Sequence, residues 1–162
     1  MTTLFKLFIG TMSALMLIIS MSAIVFLVFF FLPREAVTGP ALLATSQQEY
    51  HPGDPLYVAT TVQRNFNAPV DFDVNMRCGN FVYNVRNMRG LQSRRDEQPT
   101  TFPSSYLGVI PLESHRDLTE IGAPFECYIE SIGGYRVSIL PGVTKTLQAV
   151  YTSNAFTLSV EE

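Results

Sequence analysis

Two histidines, two cysteines, a same-face pair of aspartates and a run of arginines are the residues of this chain best suited to chemistry. His51 and His115 are the two imidazoles in 162 residues. A Ser-His-Asp hydrolase needs one of them as base, and its α/β-hydrolase form sets the nucleophile on a sharp G-x-S-x-G turn. His51 sits in the turn Tyr50-His51-Pro52-Gly53-Asp54-Pro55, and His115 in the polar segment Ser114-His115-Arg116-Asp117. No G-x-S-x-G sequence accompanies either, and both are expected to be solvated loop residues. Asp71 and Asp73 share one face of an alternating segment. A glycosidase needs such a carboxylate pair, yet on an outward strand face the pair is expected to serve solvation. Gly133-Gly134 is too short to cradle a phosphate. Two cysteines and two distant histidines lack the spacing of a metal site. The expectation is therefore no catalytic residue, no cofactor and no metal. An exported hydrolase is carried as a competing class that would need a polar cleft.

Arg86, Arg89, Arg94 and Arg95 fall within ten residues, just ahead of Asp96-Glu97. The guanidinium fork suits carboxylates and phosphates, and close to a bilayer it can meet anionic headgroups. These four are the candidate anion or partner contact, weighed against a solvated loop whose charge the adjacent acids offset. Tyr128 and Phe66 either extend that surface or belong to the core. Cys78 and Cys127 lie 49 positions apart, each on the apolar side of an alternating run. In an oxidising compartment they are expected to form a disulfide rather than remain buried thiols. Closing that loop contributes about 3–4 kcal/mol by the chain-entropy account.

What must position these residues begins with Leu7 to Leu32, twenty-six residues with no charged side chain. As a helix it rises about 39 Å, more than the roughly 30 Å of hydrocarbon in a bilayer. A cleavable signal has a shorter apolar region ending in small residues. Cleavage at Ser20-Met21-Ser22-Ala23 would leave AIVFLVFFFL at the head of a soluble domain, so an uncleaved anchor is expected. Lys6 and the α-amino group precede it, and Arg34 beside Glu35 follows. The positive-inside rule then sets the N-terminus in the cytoplasm and the rest in the periplasm or outside the cell. Gly10 and Ala14 form a small-xxx-small pair, a possible contact for a helix-mediated homo-oligomer that chance also supplies.

The expected division is a short cytoplasmic end at 1–6, a transmembrane helix at 7–32, a linker at 33–40 and an exported domain at 41–162. Hydrophobic residues make up 47% of the chain, but many belong to the helix. Beyond it, ten basic residues face fourteen acidic ones, nine of the ten being Arg. That acidic balance gives no general attraction to nucleic acid. Ala41 to Gln48 reads as an edge strand. Leu56, Val58, Thr60 and Val62 alternate with Tyr57, Ala59, Thr61 and Gln63, the period of a strand. Val70 to Cys78 is the cleanest alternation, with Val70, Phe72, Val74, Met76 and Cys78 on one face. Phe81, Tyr83 and Val85 follow a Gly79-Asn80 break. Gly90 to Pro103 reads as a long loop, Tyr106 to Leu112 as a strand, and Glu113 to Gly122 as at most a helical turn. Phe125 to Glu130 and Tyr135 to Ile139 flank Gly133-Gly134 like the arms of a hairpin. Leu147 to Tyr151 and Phe156 to Val160 read as a final pair. Together these predict an all-β, antiparallel β-sandwich of about 7–9 strands after one N-terminal transmembrane α-helix.

This pattern resembles an immunoglobulin-like sandwich, with two departures. The chain has no Trp, and the position two before the second Cys is Phe125 rather than Tyr. The order of short N-terminus, helix, Tyr50-x-Pro52-Gly53-Asp54-Pro55-Leu56 turn, a strand ending Gln63-Arg64 and the later Ile110-Pro111 is similar to small membrane-anchored proteins of tailed bacteriophages. That resemblance implies an exported sandwich-like domain and little about its role. The expected function is a non-catalytic binding or structural module at the outer face of a membrane. Its expected partners are the lipid bilayer and another membrane or envelope protein, not nucleic acid. The alternative is a membrane regulator, for lysis control or superinfection exclusion, acting through its helix.

Overall fold

The computed structural model describes residues 2–33, 38–140 and 142–159. The chain divides into two units, Met1–Pro33 and Arg34–Glu162. The first is helix α1, Thr2–Phe30. Its segment Phe8–Phe30, 23 residues with a mean hydropathy of 2.6, is long and apolar enough to cross a membrane. Its length and composition fit either a membrane anchor or a signal sequence. Helix begins five residues before the apolar run, so the polar N-terminus extends the same rod. Thr11 fits into this apolar helix because its hydroxyl donates to the Phe8 carbonyl at 2.9 Å. At the far end the Leu32 amide reaches back only three residues, to the Phe29 carbonyl at 3.2 Å. A tightened last turn of that kind is a common helix ending, and Pro33 disfavours helix in the residue before it.

The second unit is built from strands β1 (Thr38–Thr45), β2 (Glu49–Tyr50), β3 (Pro55–Arg64), β4 (Ala68–Cys78), β5 (Phe81–Ser93) and β6 (Thr100–Val109), then helix α2 (Glu113–Ile121), then β7 (Phe125–Leu140), β8 (Val143–Thr152) and β9 (Phe156–Leu158). They form a three-stranded sheet, β1-β3-β6, and a six-stranded sheet, β2-β9-β7-β4-β5, with β8 also on β7. Pairing is antiparallel except that β2 runs parallel to β9. The class is all-β, as the alternation predicts.

The inward residues pack two ways. At one end Leu56 of β3 and Ile110, just past β6, meet Met76, Ile129 and Leu158 of the larger sheet, all fully buried. Tyr50 joins them edge-to-face on Phe156, ring centroids 5.1 Å apart. Helix α2 closes this end with Leu118, only 2% exposed. Gly122, at φ 69°, ends α2 in the left-handed conformation that glycine adopts without penalty. The Tyr83 hydroxyl donates to Asp117 of α2 at 2.6 Å. Burial, reinforced by that bond, raises the phenol's pKa well above its ordinary value. At the other end the sheets enclose space.

Cys78 and Cys127 are bonded. They are direct register partners of β4 and β7, so the bond staples neighbouring strands of one sheet. The immunoglobulin pattern instead joins the two sheets.

Several boundaries differ from the sequence reading. Of the expected linker 33–40, residues 34–37 lie outside the described residues, and 38–40 already belong to β1. The expected loop from Gly90 to Pro103 shrinks to 94–99, because β5 runs on to Ser93 and β6 starts at Thr100. The expected single turn at Glu113 is a nine-residue helix. Gly133-Gly134 is no hairpin: β7 passes through it unbroken for 16 residues. The reason is steric. Phe72 is the register partner of Gly133, and a Cβ there would lie 2.7 Å from the Phe72 ring and 2.9 Å from the Tyr135 ring. Glycine here makes room for two aromatic rings rather than for a turn. The segments around Ser153-Asn154 do not pair with each other either; β8 and β9 line successive stretches of β7.

The staple gives a direct test of stability. Replacing both cysteines by alanine should lower the free energy of unfolding by about 2–4 kcal/mol. Urea unfolding curves of the oxidised and the double-substituted proteins measure it.

An inter-sheet slot as the candidate functional site

The space between the sheets is a cavity of about 470 Å³. Its walls are the inward residues of the two sheets: Leu43, Val58 and Val62 on one side, Val70, Val74 and Ile129 on the other. Alternation puts these side chains inside. The volume lies within the roughly 300–1,000 Å³ of small-molecule sites, which are likewise mostly apolar with a few placed polar groups.

The two long sides of the slot are closed unequally. On one side the β1 and β8 edges are zipped together. Leu43 bridges Ser153, the Thr45 amide donates to Asn154 Oδ1 at 2.9 Å, and Asn154 Nδ2 donates to Thr45 Oγ1 at 3.0 Å. On the other side lie β5 and β6, each an edge of its sheet. There Arg86 Nη1 donates to the Leu107 carbonyl at 3.3 Å. Val85 approaches Gly108 at the same end; a Cβ on Gly108 would sit 3.0 Å from the Val85 side chain. The loop 94–99 joins the strands at the other end. Between these two ties is a window rimmed by Leu91, Phe102 and Tyr106, all exposed.

One end of the slot is polar. Arg64 grips Asp96 with two parallel bonds, Nε to Oδ2 at 2.7 Å and Nη2 to Oδ1 at 2.8 Å. Its guanidinium also lies over the Phe102 ring, 5.3 Å from the centroid. The hydrogen bond from Arg64 holds the Asp96 carboxyl below its usual range, and the same bond raises the guanidinium's pKa. Tyr135 shares a hydrogen bond with the Tyr151 hydroxyl at 3.2 Å, and Tyr151 donates to Thr38 Oγ1 at 2.9 Å. Burial, followed by that contact with Tyr151, raises the pKa of Tyr135. Ser93 is 4% exposed. Among the described residues its Oγ is the one buried side-chain polar atom without a hydrogen-bond partner.

The residues singled out in the sequence are distributed around this slot rather than gathered in it. Arg86 opposes buried Val74 and lines the slot, whereas Arg89, on the other face of β5, pairs with Asp73 at 2.6 Å. Arg94 and Arg95 are exposed in the loop, where the Arg95 amide donates to Asn67 Oδ1. The four arginines thus divide between two faces and a loop. Asp71 accepts from the Gly90 amide at 2.7 Å and lies 3.6 Å from Arg136, so both aspartates are engaged by cations on the outer face. His51 lies 3.4 Å from Asp54 within its own turn, and His115 is exposed on α2. Tyr128 and Phe66 are partly exposed, at 36% and 37%. Sequence reasoning missed Arg64, Ser93, Asp96 and the slot itself.

No family model matches this sequence, and no curated protein matches it. Among solved structures, the crystal structure of Spo0M, a sporulation control protein from Bacillus subtilis, is similar over 76% of this chain and 51% of that one. The identity is 11% and the TM-score 0.35, a likeness too slight to convey fold or role. The present chain corresponds to about half of that protein's length.

The Arg64–Asp96 pair has a pH signature. Its carboxylate pKa is lower in the folded protein than the unfolded value of about 3.9. The stabilisation is therefore present at neutral pH and lost as pH falls through the folded value. Asp96→Asn should be less stable than wild type at pH 7. In urea titrations the gap should close below about pH 4.

Proposed function

We propose that this protein is a single-pass membrane protein that presents a non-catalytic binding module on the outer side of a membrane. In this reading the N-terminus is cytoplasmic and α1 remains attached as the anchor. The β domain, periplasmic or extracellular, engages small apolar molecules and another membrane or envelope protein. The observation that carries the reading is the slot: about 470 Å³ of mostly apolar space between the two sheets. A domain selected only for stability gains by closing such a void, because missing contacts cost free energy. The disulfide supports an oxidising compartment for the domain, and the uncharged run Phe8–Phe30 supports the anchor. The two-layer strand arrangement supports the sandwich reading, while the in-sheet disulfide weighs against its immunoglobulin version.

The test is fractionation and copurification of the intact chain beside a form carrying an unrelated anchor. The intact chain should resist alkaline carbonate extraction, and partners should survive the anchor exchange. A soluble product lacking the apolar run would overturn the anchor. Loss of every partner on exchange would move function into the helix, as a membrane regulator requires.

A further inference from the structure

The slot has unlike ends, and the difference specifies a ligand. Arg86 and Ser93 oppose Val74 and Ala68 of β4, six positions apart, about 20 Å at the rise of a strand. Arg86 itself is exposed at the rim, its guanidinium bonded to the Leu107 carbonyl, and the walls inward of it are Leu43, Val58, Val74 and Ile129. Near Ser93 stand the Arg64–Asp96 pair and the Tyr135 hydroxyl. Register fixes this placement: Ser93 opposes Ala68, Tyr135 opposes Val70, and Arg64 opposes Thr38. One end is thus oily and the other offers hydrogen bonds, the polarity of a site for an amphiphile.

The head group follows from charge. Arg64 is neutralised by Asp96, so an anion buried beside them would lack a countercharge, which is costly. Ser93 Oγ, buried and unpartnered, can donate one hydrogen bond and accept others. An uncharged head bearing a hydroxyl or carbonyl satisfies it. The tail follows from length. A membrane acyl chain spans one leaflet, about half of the roughly 30 Å hydrocarbon core. That leaves about 5 Å of the slot for a small head.

We propose that the slot binds one uncharged single-chain amphiphile of the monoacylglycerol class, its acyl chain toward Val74 and Ile129 and its head hydrogen-bonded to Ser93. The inference rests on the slot being a binding site of a membrane-anchored domain, and it names the ligand.

The test uses the full chain in phosphatidylcholine nanodiscs, with a monoacylglycerol carrying a diazirine on its acyl chain. After irradiation, labelled peptides are mapped. Label is expected on peptides containing Val58, Val74 or Ile129, displaced by 1-monooleoylglycerol. Oleate at pH 8 and octadecane should each compete at least about tenfold more weakly, since one adds an unbalanced charge and the other lacks a head. Ser93→Ala should weaken capture about fivefold, one hydrogen bond's worth, without lowering the melting temperature. The proposal is overturned by label confined to Phe8–Phe30, by oleate or octadecane competing equally, or by unchanged capture in Ser93→Ala. Carbonate extraction of the same preparation separates the two failures. A chain that is not membrane-integral sinks the parent reading, whereas an integral chain with an unlabelled slot sinks this one alone.

Discussion

Strand β7 is the member on which the larger sheet depends. One of its edges carries β4 from Val70 opposite Tyr135 down to Cys78 opposite Cys127. Its other edge carries β9 over Phe125–Cys127 and then β8 from Glu130 onward. A strand of 16 residues is long for a globular domain, and length is what allows two partners in series on one edge. Two devices keep it continuous. The disulfide pins it to β4 at one end, and Gly133 lets the aromatic rings of Phe72 and Tyr135 pack where a side chain would block them.

The domain consequently has a solid end and a hollow end. The solid end gathers the disulfide, α2, the Tyr50–Phe156 pair and the buried aliphatics. These contacts supply the core that a domain of this size needs. The hollow end is framed instead by polar contacts, Arg64 with Asp96 and Tyr135 with Tyr151. Dividing the domain this way places stability and an accessible interior in different regions, and local opening is drawn from the weaker region.

Much of the strand content was legible in the sequence. Val70 to Cys78 alternates so regularly that one reading assigns both faces, and Cys78 and Cys127 fall inward as that reading requires. Other features were hidden for identifiable reasons. Gly133-Gly134 has the composition of a turn, and its actual role depends on a ring from another strand. The polar run after Gly90 carries no period because β5 and β6 are edge strands, wetted on much of their surface. The slot leaves no sequence trace at all. An inward Val74 has the same signature whether it meets another side chain or an open volume. Arg64 and Asp96 are 32 positions apart, and no local rule joins them.

Thr38 is the first described residue after the four that follow the apolar helix unit. Its hydroxyl accepts from Tyr151, which in turn bonds Tyr135, a residue of the slot wall. The start of β1 is therefore wired to the interior by two hydrogen bonds. Any displacement of the Tyr135 ring must break that wire or move Thr38 with it. Thr38 thus makes the start of β1 and the wall of the slot one hydrogen-bonded unit, so that neither shifts without the other.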